Sequence, residues 1–251
     1  MANQRQPTAP VPATNNTNTN SDLATTLSNH LTTLSLPPNQ TWLASFLPTI
    51  KPTTPLPALQ KTALFRLLAS DLTSSIQTSP ATTFSPATIS DPSIQDQRLP
   101  GPIAVQVLDI EDIGRSRWSQ VEALEAQERG ETTKGREVVR VLPPEEGSDA
   151  ATAAASATAV GESKSVGPHK LLLQDAKGTK VYGLELKGVQ GVSIGMAIGA
   201  KLVLRDVSVA RGVVLLEPRC VEVLGGKVDA WDRKWREERK KVLKEKAGMQ
   251  T

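Results

Sequence analysis

Residue types that do covalent or redox chemistry are scarce in this 251-residue chain, and they do not converge. There is one cysteine, Cys220, set among valines and leucines, and there are two histidines, His30 and His169, far apart in sequence. A lone cysteine excludes an intrachain disulfide and a cysteine-rich zinc site, and it fits a reducing compartment. In an apolar run such a residue acts as a small core hydrophobe. No histidine adjoins a nucleophile motif, and neither G-x-S-x-G nor a metal-ligand spacing occurs. The stretch GVQGVSIGMAIG places glycines at 188, 191, 195 and 199, which is neither G-x-G-x-x-G nor a Walker loop. It reads as a tight connection between strands. The expectation is a protein that is not an enzyme, with no catalytic residue, metal, cofactor or small-molecule substrate.

The residues that can bind are better placed than those that can react. Tyr182 lies among Lys170, Lys177, Lys180 and Lys187. Single-strand-binding barrels combine a basic groove with aromatic platforms. One tyrosine is a poor platform, so Lys170, Lys180 and Tyr182 are expected to give weak, salt-sensitive DNA contact at most. A second group is IGRSRWSQVEAL, in which Trp118, Val121 and Leu124 can share one face of a short helix. Arg115, Arg117, Arg129, Lys134, Arg136 and Arg140 decorate the longer stretch 113–143 that begins with it. It opens a very long loop, and such loops in compact domains are functional or disordered. Residues 231–246 (WDRKWREERKKVLKEK) hold eight Lys/Arg against four Asp/Glu, so the chain's net charge of +3 belongs to this tail. The segment reads as a solvated helix of mixed charge, with a weakly specified nuclear-import signal at Arg239-Lys240-Lys241.

The elements that must position these residues fall into blocks. Residues 1–20 and 145–168 are poor in large apolar side chains and cannot offset their ordering entropy, so both are expected to stay disordered. Residues 21–78 predict three amphipathic helices. The first is capped by Ser21 and carries Leu23, Leu27, Leu31 and Leu34. The second bears Trp42, Leu43, Phe46, Leu47 and Ile50. The third runs from about Pro57 to Gln77, with Leu59, Ala63, Leu64, Leu67, Leu68, Leu72 and Ile76 inward. Such a small bundle is marginal alone and is expected to lean on its neighbour. Residues 79–98 predict a linker or an irregular strap.

Residues 99–226 read as five β-strands. Ile103, Val105 and Val107 alternate, then Leu108 and Ile110 continue on the other phase, which predicts a bulge or bend. A hairpin follows across Asp175-Ala176-Lys177-Gly178. A further strand changes phase near Arg205-Asp206, and Val213 to Leu216 form the last. Bent strands let a five-stranded sheet close on itself. The predicted fold is α+β: a three-helix bundle, an OB-fold barrel with a long insert (112–168) between its first and second strands, and a basic C-terminal helix and tail (227–251). An SH3-like barrel is the alternative. In the last helix Asp229 can cap, and Trp231 and Trp235 are expected to pack on the barrel or bundle. No apolar run is long enough for a membrane span, and no signal peptide is evident.

Several stretches resemble the RecQ-mediated genome instability protein 1 family. LPPNQTWL (36–43) is similar to its helical region, LPGPIAVQVLDI (99–110) to its first barrel strand, RWSQVEAL (117–124) to the start of its insert, and GAKLVLRDVSVARGVVLLEPRCVEVLGGKVDA (199–230) to its final strands. The resemblance implies a nuclear, non-catalytic subunit. It would join topoisomerase III to a RecQ-type helicase, promoting decatenation and double Holliday junction dissolution. It also implies that the insert meets the topoisomerase through Arg115, Arg117, Trp118, Ser119, Gln120, Val121 and Leu124, and that Lys201 is a basic interface position of the barrel. Beyond Leu142 the insert departs from the family pattern. The chain is expected to lack the second barrel of longer animal members. An independent single-stranded nucleic-acid-binding module is the alternative function.

Overall fold

The computed structural model describes residues 16–51, 54–134, 137–140 and 167–248. Most of the tail expected at 1–20 and of the low-complexity stretch at 145–168 lies outside them. Helix α1 (Asn16–Thr33) buries Leu27 and Leu31, one turn apart. It begins ahead of Ser21, which is therefore inside the helix and not its cap. Helix α2 (Gln40–Phe46) is capped by Asn39, whose Oδ1 accepts from the Thr41 N–H at 3.0 Å. The expected third helix is two: α3 (Leu56–Leu68) and a single turn, α4 (Leu72–Ser75). The break has a local cause. The Asp71 carboxylate accepts from the Thr73 N–H at 3.0 Å and the Ser70 hydroxyl donates to the Leu67 carbonyl at 2.7 Å, so side chains replace the helical ladder.

The inward residues of these helices form one cluster with Ala104 and Ala176 of the β-domain, so the bundle packs directly on it. The stretch 79–98 is a strap. It carries a short helix α5 (Pro86–Ile89) and a short strand β1 (Gln97–Leu99). It also sends Phe84 and Ile89 into the β-domain's core.

That core is enclosed by a curled sheet. Strand β2 (Ile103–Asp112) pairs with β5 (His169–Asp175) on one side and with β7 (Lys201–Leu204) on the other. Strand β5 pairs with β6 (Lys180–Glu185), which runs parallel to β9 (Val213–Leu216). Strand β9 pairs with β8 (Val207–Ala210). Strands β7 and β8 are halves of one strand bent at Arg205-Asp206, where Asp206 takes φ 50°. The ring therefore closes through that bend, as an OB-fold does. The register shift in β2 falls between Val107 and Asp109, so Ile103, Val105, Val107 and Ile110 all reach the core despite their change of phase. Strand β1 extends the sheet beyond β8, and β10 (Val221–Gly225) extends it beyond β7.

The insert between β2 and β5 begins with helix α6 (Arg117–Glu128) and a hairpin of β3 (Glu131–Lys134) and β4 (Glu137–Arg140). The chain ends in helix α7 (Asp229–Lys246), which packs against α6. Asp229 is its first helical residue and Val228 occupies the cap position, so Asp229 favours the helix through its charge near the N-terminus without capping it. Trp231 and Trp235 pack against the barrel core, as expected.

Candidate functional site

The insert leaves and re-enters the barrel at one point. The last rungs of the β2–β5 ladder are Glu111 with Lys170 and Asp112 with His169. Beyond them the Ile113 N–H donates to the Pro168 carbonyl at 3.0 Å. A Cβ on Gly114 would lie 2.4 Å from the Gly167 carbonyl oxygen, so the two strands of this neck touch where only glycine fits.

Buried polar groups fasten the neck. The Glu185 carboxylate accepts from the backbone N–H of His169 at 3.1 Å and of Val189 at 2.7 Å. The same carboxylate lies 2.5 Å from the His169 Nδ1. Both side chains are almost wholly buried. The Gln120 amide donates to the carbonyls of Asp112 at 2.9 Å and Arg115 at 3.1 Å, which ties α6 back to the end of β2. The Ser116 hydroxyl caps α6 by accepting from the Ser119 N–H at 3.2 Å.

Helix α7 then clasps α6 electrostatically. Lys240 Nζ lies 2.6 Å from Glu128 and 3.6 Å from Glu125, and Lys244 Nζ lies 2.8 Å from Glu125. The hydrogen bond from Lys244, joined by the charge of Lys240, holds the Glu125 carboxyl below its usual range. Lys246 pairs with Glu111. Burial pushes the Glu111 carboxyl up, but Lys246, Lys170 and Arg117 together outweigh it and the net shift is downward. Lys240 and Lys244 of the tail are thus directed at this chain's own insert, and Lys246 at the end of β2.

A closed barrel with a clamped insert and a helical domain packed on its β2 face narrows the choice of family, and comparison decides it. Residues 72–239 match the family model described as RMI1, N-terminal OB-fold domain, and residues 31–75 match the model described as RMI1, N-terminal helical domain. The chain belongs to the RecQ-mediated genome instability protein 1 family. A relative of that name from Schizosaccharomyces pombe (strain 972 / ATCC 24843) is 31% identical over 218 residues, covering 83% of this chain and 90% of the relative.

Within this family fold, the insert residues singled out from sequence divide by burial. Trp118 is 60% exposed and Arg117 is exposed, both at the start of α6. Arg115, Ser119 and Leu124 are half-buried, and the Arg115 guanidinium donates to the Ser119 hydroxyl at 3.2 Å. Gln120 and Val121 are buried, and Gln120 is spent on tying α6 to the end of β2. Lys201 also requires correction. It is fully buried, with Nζ donating to the Ser70 carbonyl at 2.6 Å and the Gly199 carbonyl at 2.7 Å. The interface it serves is the internal one between barrel and bundle. Burial lowers its pKa to about 8, only partly opposed by the charge of Asp71.

Lys170 and Tyr182 do come together, with the Lys170 ammonium 4.2 Å from the centre of the Tyr182 ring, and Lys180 lies on the same outer face of β6. A cavity of about 330 Å³ beside them is lined by Glu111, Arg117 and Lys246 among others. Sequence reading missed Glu125, Glu128, Lys240 and Lys244. The signal was present as acidic residues at 122, 125 and 128, spaced to meet a basic helix. Among the described residues no group of three or more His, Cys, Asp or Glu could hold a metal ion, and no helix is long and apolar enough to cross a membrane.

Proposed function

We propose that the chain is a nuclear, non-enzymatic scaffold that binds topoisomerase III and a RecQ-type helicase. It would promote decatenation and double Holliday junction dissolution in genome maintenance. The observation that carries this reading is the neck. An arm fastened at Asp112–His169 and Gly114–Gly167, and braced by α7, is presented from a closed barrel. Such an arm acts on a partner enzyme without reactive groups of its own. If it binds the open topoisomerase gate better than the closed one, it shifts the gate's population by that difference in affinity. Arg117 and Trp118 are exposed at its root, placed to meet that partner.

The test is removal of the arm. Because residues 114 and 167 already touch, replacing 115–166 by a short glycine-serine turn leaves the barrel closed. The expected result is a folded protein, checked by circular dichroism and thermal melting, that no longer stimulates decatenation by the cognate topoisomerase III. Normal stimulation by this variant refutes the reading.

A further inference from the structure

The outside of the barrel carries an apolar face that the bundle, strap and α7 leave uncovered. Outward residues of β5, β6 and β9 form two cross-strand rows. In one, Leu172 pairs with Tyr182 and Tyr182 with Val213; in the other, Lys170 pairs with Leu184 and Leu184 with Leu215. Leu186 extends β6, its N–H donating to the Leu216 carbonyl at 3.0 Å. Tyr182 is 49% and Leu186 50% exposed, and Leu172, Leu184, Val213 and Leu215 are half-buried. Their alternates Val181, Val214 and Leu216 fill the core, so the outward set is not needed to build the barrel. Single exposed aliphatics are ordinary, but a contiguous set on neighbouring strands marks an interaction surface.

The rim of this face is cationic. Lys180 precedes Tyr182 on the same side of β6, Lys187 follows Leu186, and Arg211 is exposed in the turn between β8 and β9. Lys170 sits over the Tyr182 ring. The neighbouring acids are engaged: Glu111 by Lys246, Asp109 by the Trp235 indole N–H at 2.7 Å, and Glu217 by Arg219 at 2.8 Å. Lys187 is only 3.9 Å from Glu217 and remains 73% exposed.

We propose that this face docks an acidic amphipathic protein segment, with aliphatic side chains against Leu172, Leu184, Leu186, Val213 and Leu215 and carboxylates against Lys180, Lys187 and Arg211. Aliphatic complementarity and a basic rim match that chemistry. Single-stranded nucleic acid fits less well, because bases stack on open aromatic faces. The face offers one ring, and the Lys170 ammonium stands 4.2 Å from its centre. The proposal goes beyond the arm-and-topoisomerase reading and does not rest on it, since none of these residues lies in the insert.

The experiment is fluorescence anisotropy on the full chain with three labelled probes. These are a synthetic helical peptide with leucines on one face and glutamates on the other, the same peptide with lysine for every glutamate, and an oligothymidylate. The acidic peptide is expected to bind saturably, and Leu186→Asp and Lys180→Glu are each expected to weaken it at least about ten-fold. Both substitutions are at the surface, and unchanged circular dichroism and melting check that they fold. The proposal is overturned by no saturable binding, by binding that neither substitution changes, or by equal binding of the lysine peptide. Tighter oligothymidylate binding lost in Tyr182→Ala assigns the face to nucleic acid and also overturns it. So does self-association abolished by Leu186→Asp, which assigns the face to a second copy. Peptide binding that appears only after removal of 115–166 assigns it to the chain's own insert, with the same consequence.

Discussion

Gln106 and Lys201 are direct cross-strand partners on β2 and β7, and both side chains leave the barrel to bond the helical bundle. The Gln106 carbonyl accepts from the Leu72 N–H at 2.9 Å, and its amide donates to Asp71 at 2.8 Å and Gln174 at 3.0 Å. Lys201 reaches the Ser70 carbonyl one residue earlier. Both residues are fully buried. The break between α3 and α4 thus exposes backbone groups that the barrel satisfies, which makes bundle and barrel one folding unit.

That seam gives stability a pH signature. Lys201 titrates near 8 in the folded chain against 10.5 for its ordinary value. The unfolded chain therefore holds the extra proton between those values. The cost of burying the ammonium is fully present below about pH 8, declines as pH rises, and is gone above 10.5. Wild type is expected to gain on Lys201→Met by up to about 3 kcal/mol between pH 7 and 10.5. Urea unfolding of both proteins across that range checks this, and groups common to both cancel in the difference. A flat difference rejects the buried charge.

The same contact is tightest at Gly226. Its φ is +92°, and a Cβ there would lie 2.5 Å from the Leu68 carbonyl oxygen at the end of α3. Gly226→Ala is expected to lose about 1–3 kcal/mol from backbone strain alone, and more if the bundle is pushed off. A lowered melting temperature with the bundle amides exchanging first would show it. Unchanged stability would mean that the bundle does not bear on the barrel at this point.

Glu185 is the keystone of the neck. Glu185→Ala leaves the buried N–H groups of His169 and Val189 without their acceptor, at about 1–3 kcal/mol for each. Hydrogen exchange should quicken at 169 and 189 while the amides of β7 and β8 stay protected. Uniform loss of protection would instead place Glu185 in the global core.

What could be read from sequence was whatever leaves a local trace. The phase slip after Val107 announced the bulge, and the phase change at Asp206 announced the bend that closes the ring. The turn at Asp175 to Gly178 announced its hairpin. Alternation tells which residues share a face of a strand, but not what covers that face. Gln106 and Lys201 look solvent-facing by period and type, and only the docked bundle buries them. Strand β1 is three residues with no periodicity of their own, and it exists because β8 offers an edge. Phe84 and Ile89 lie in a proline-rich stretch whose composition says linker, yet two large side chains suffice to plug a barrel. At the site, Arg117 and Trp118 are exposed, whereas Gln120 and Val121 are buried, and the Gln120 amide bonds back to the end of β2, which no spacing in the sequence announces.

The α6–α7 clasp braces the base of the insert, so on the function proposed above its charges are expected to matter for topoisomerase stimulation more than for folding. Lys240, Lys244 and Glu125 are each about a third exposed, and salt screens such pairs. Lys240→Glu with Lys244→Glu places like charges opposite Glu125 and Glu128. The melting temperature is expected to change little, because Trp231, Trp235 and Leu243 still anchor α7. Amides of α6 are expected to exchange several-fold faster, and stimulation of the topoisomerase to fall. Adding Glu125→Lys and Glu128→Lys restores opposite charges and is expected to recover both readouts, whereas a general loss of α7 packing would not be rescued. If the reversed clasp stimulates as well as wild type at low salt, α7 is a passive cover and the neck alone braces the insert.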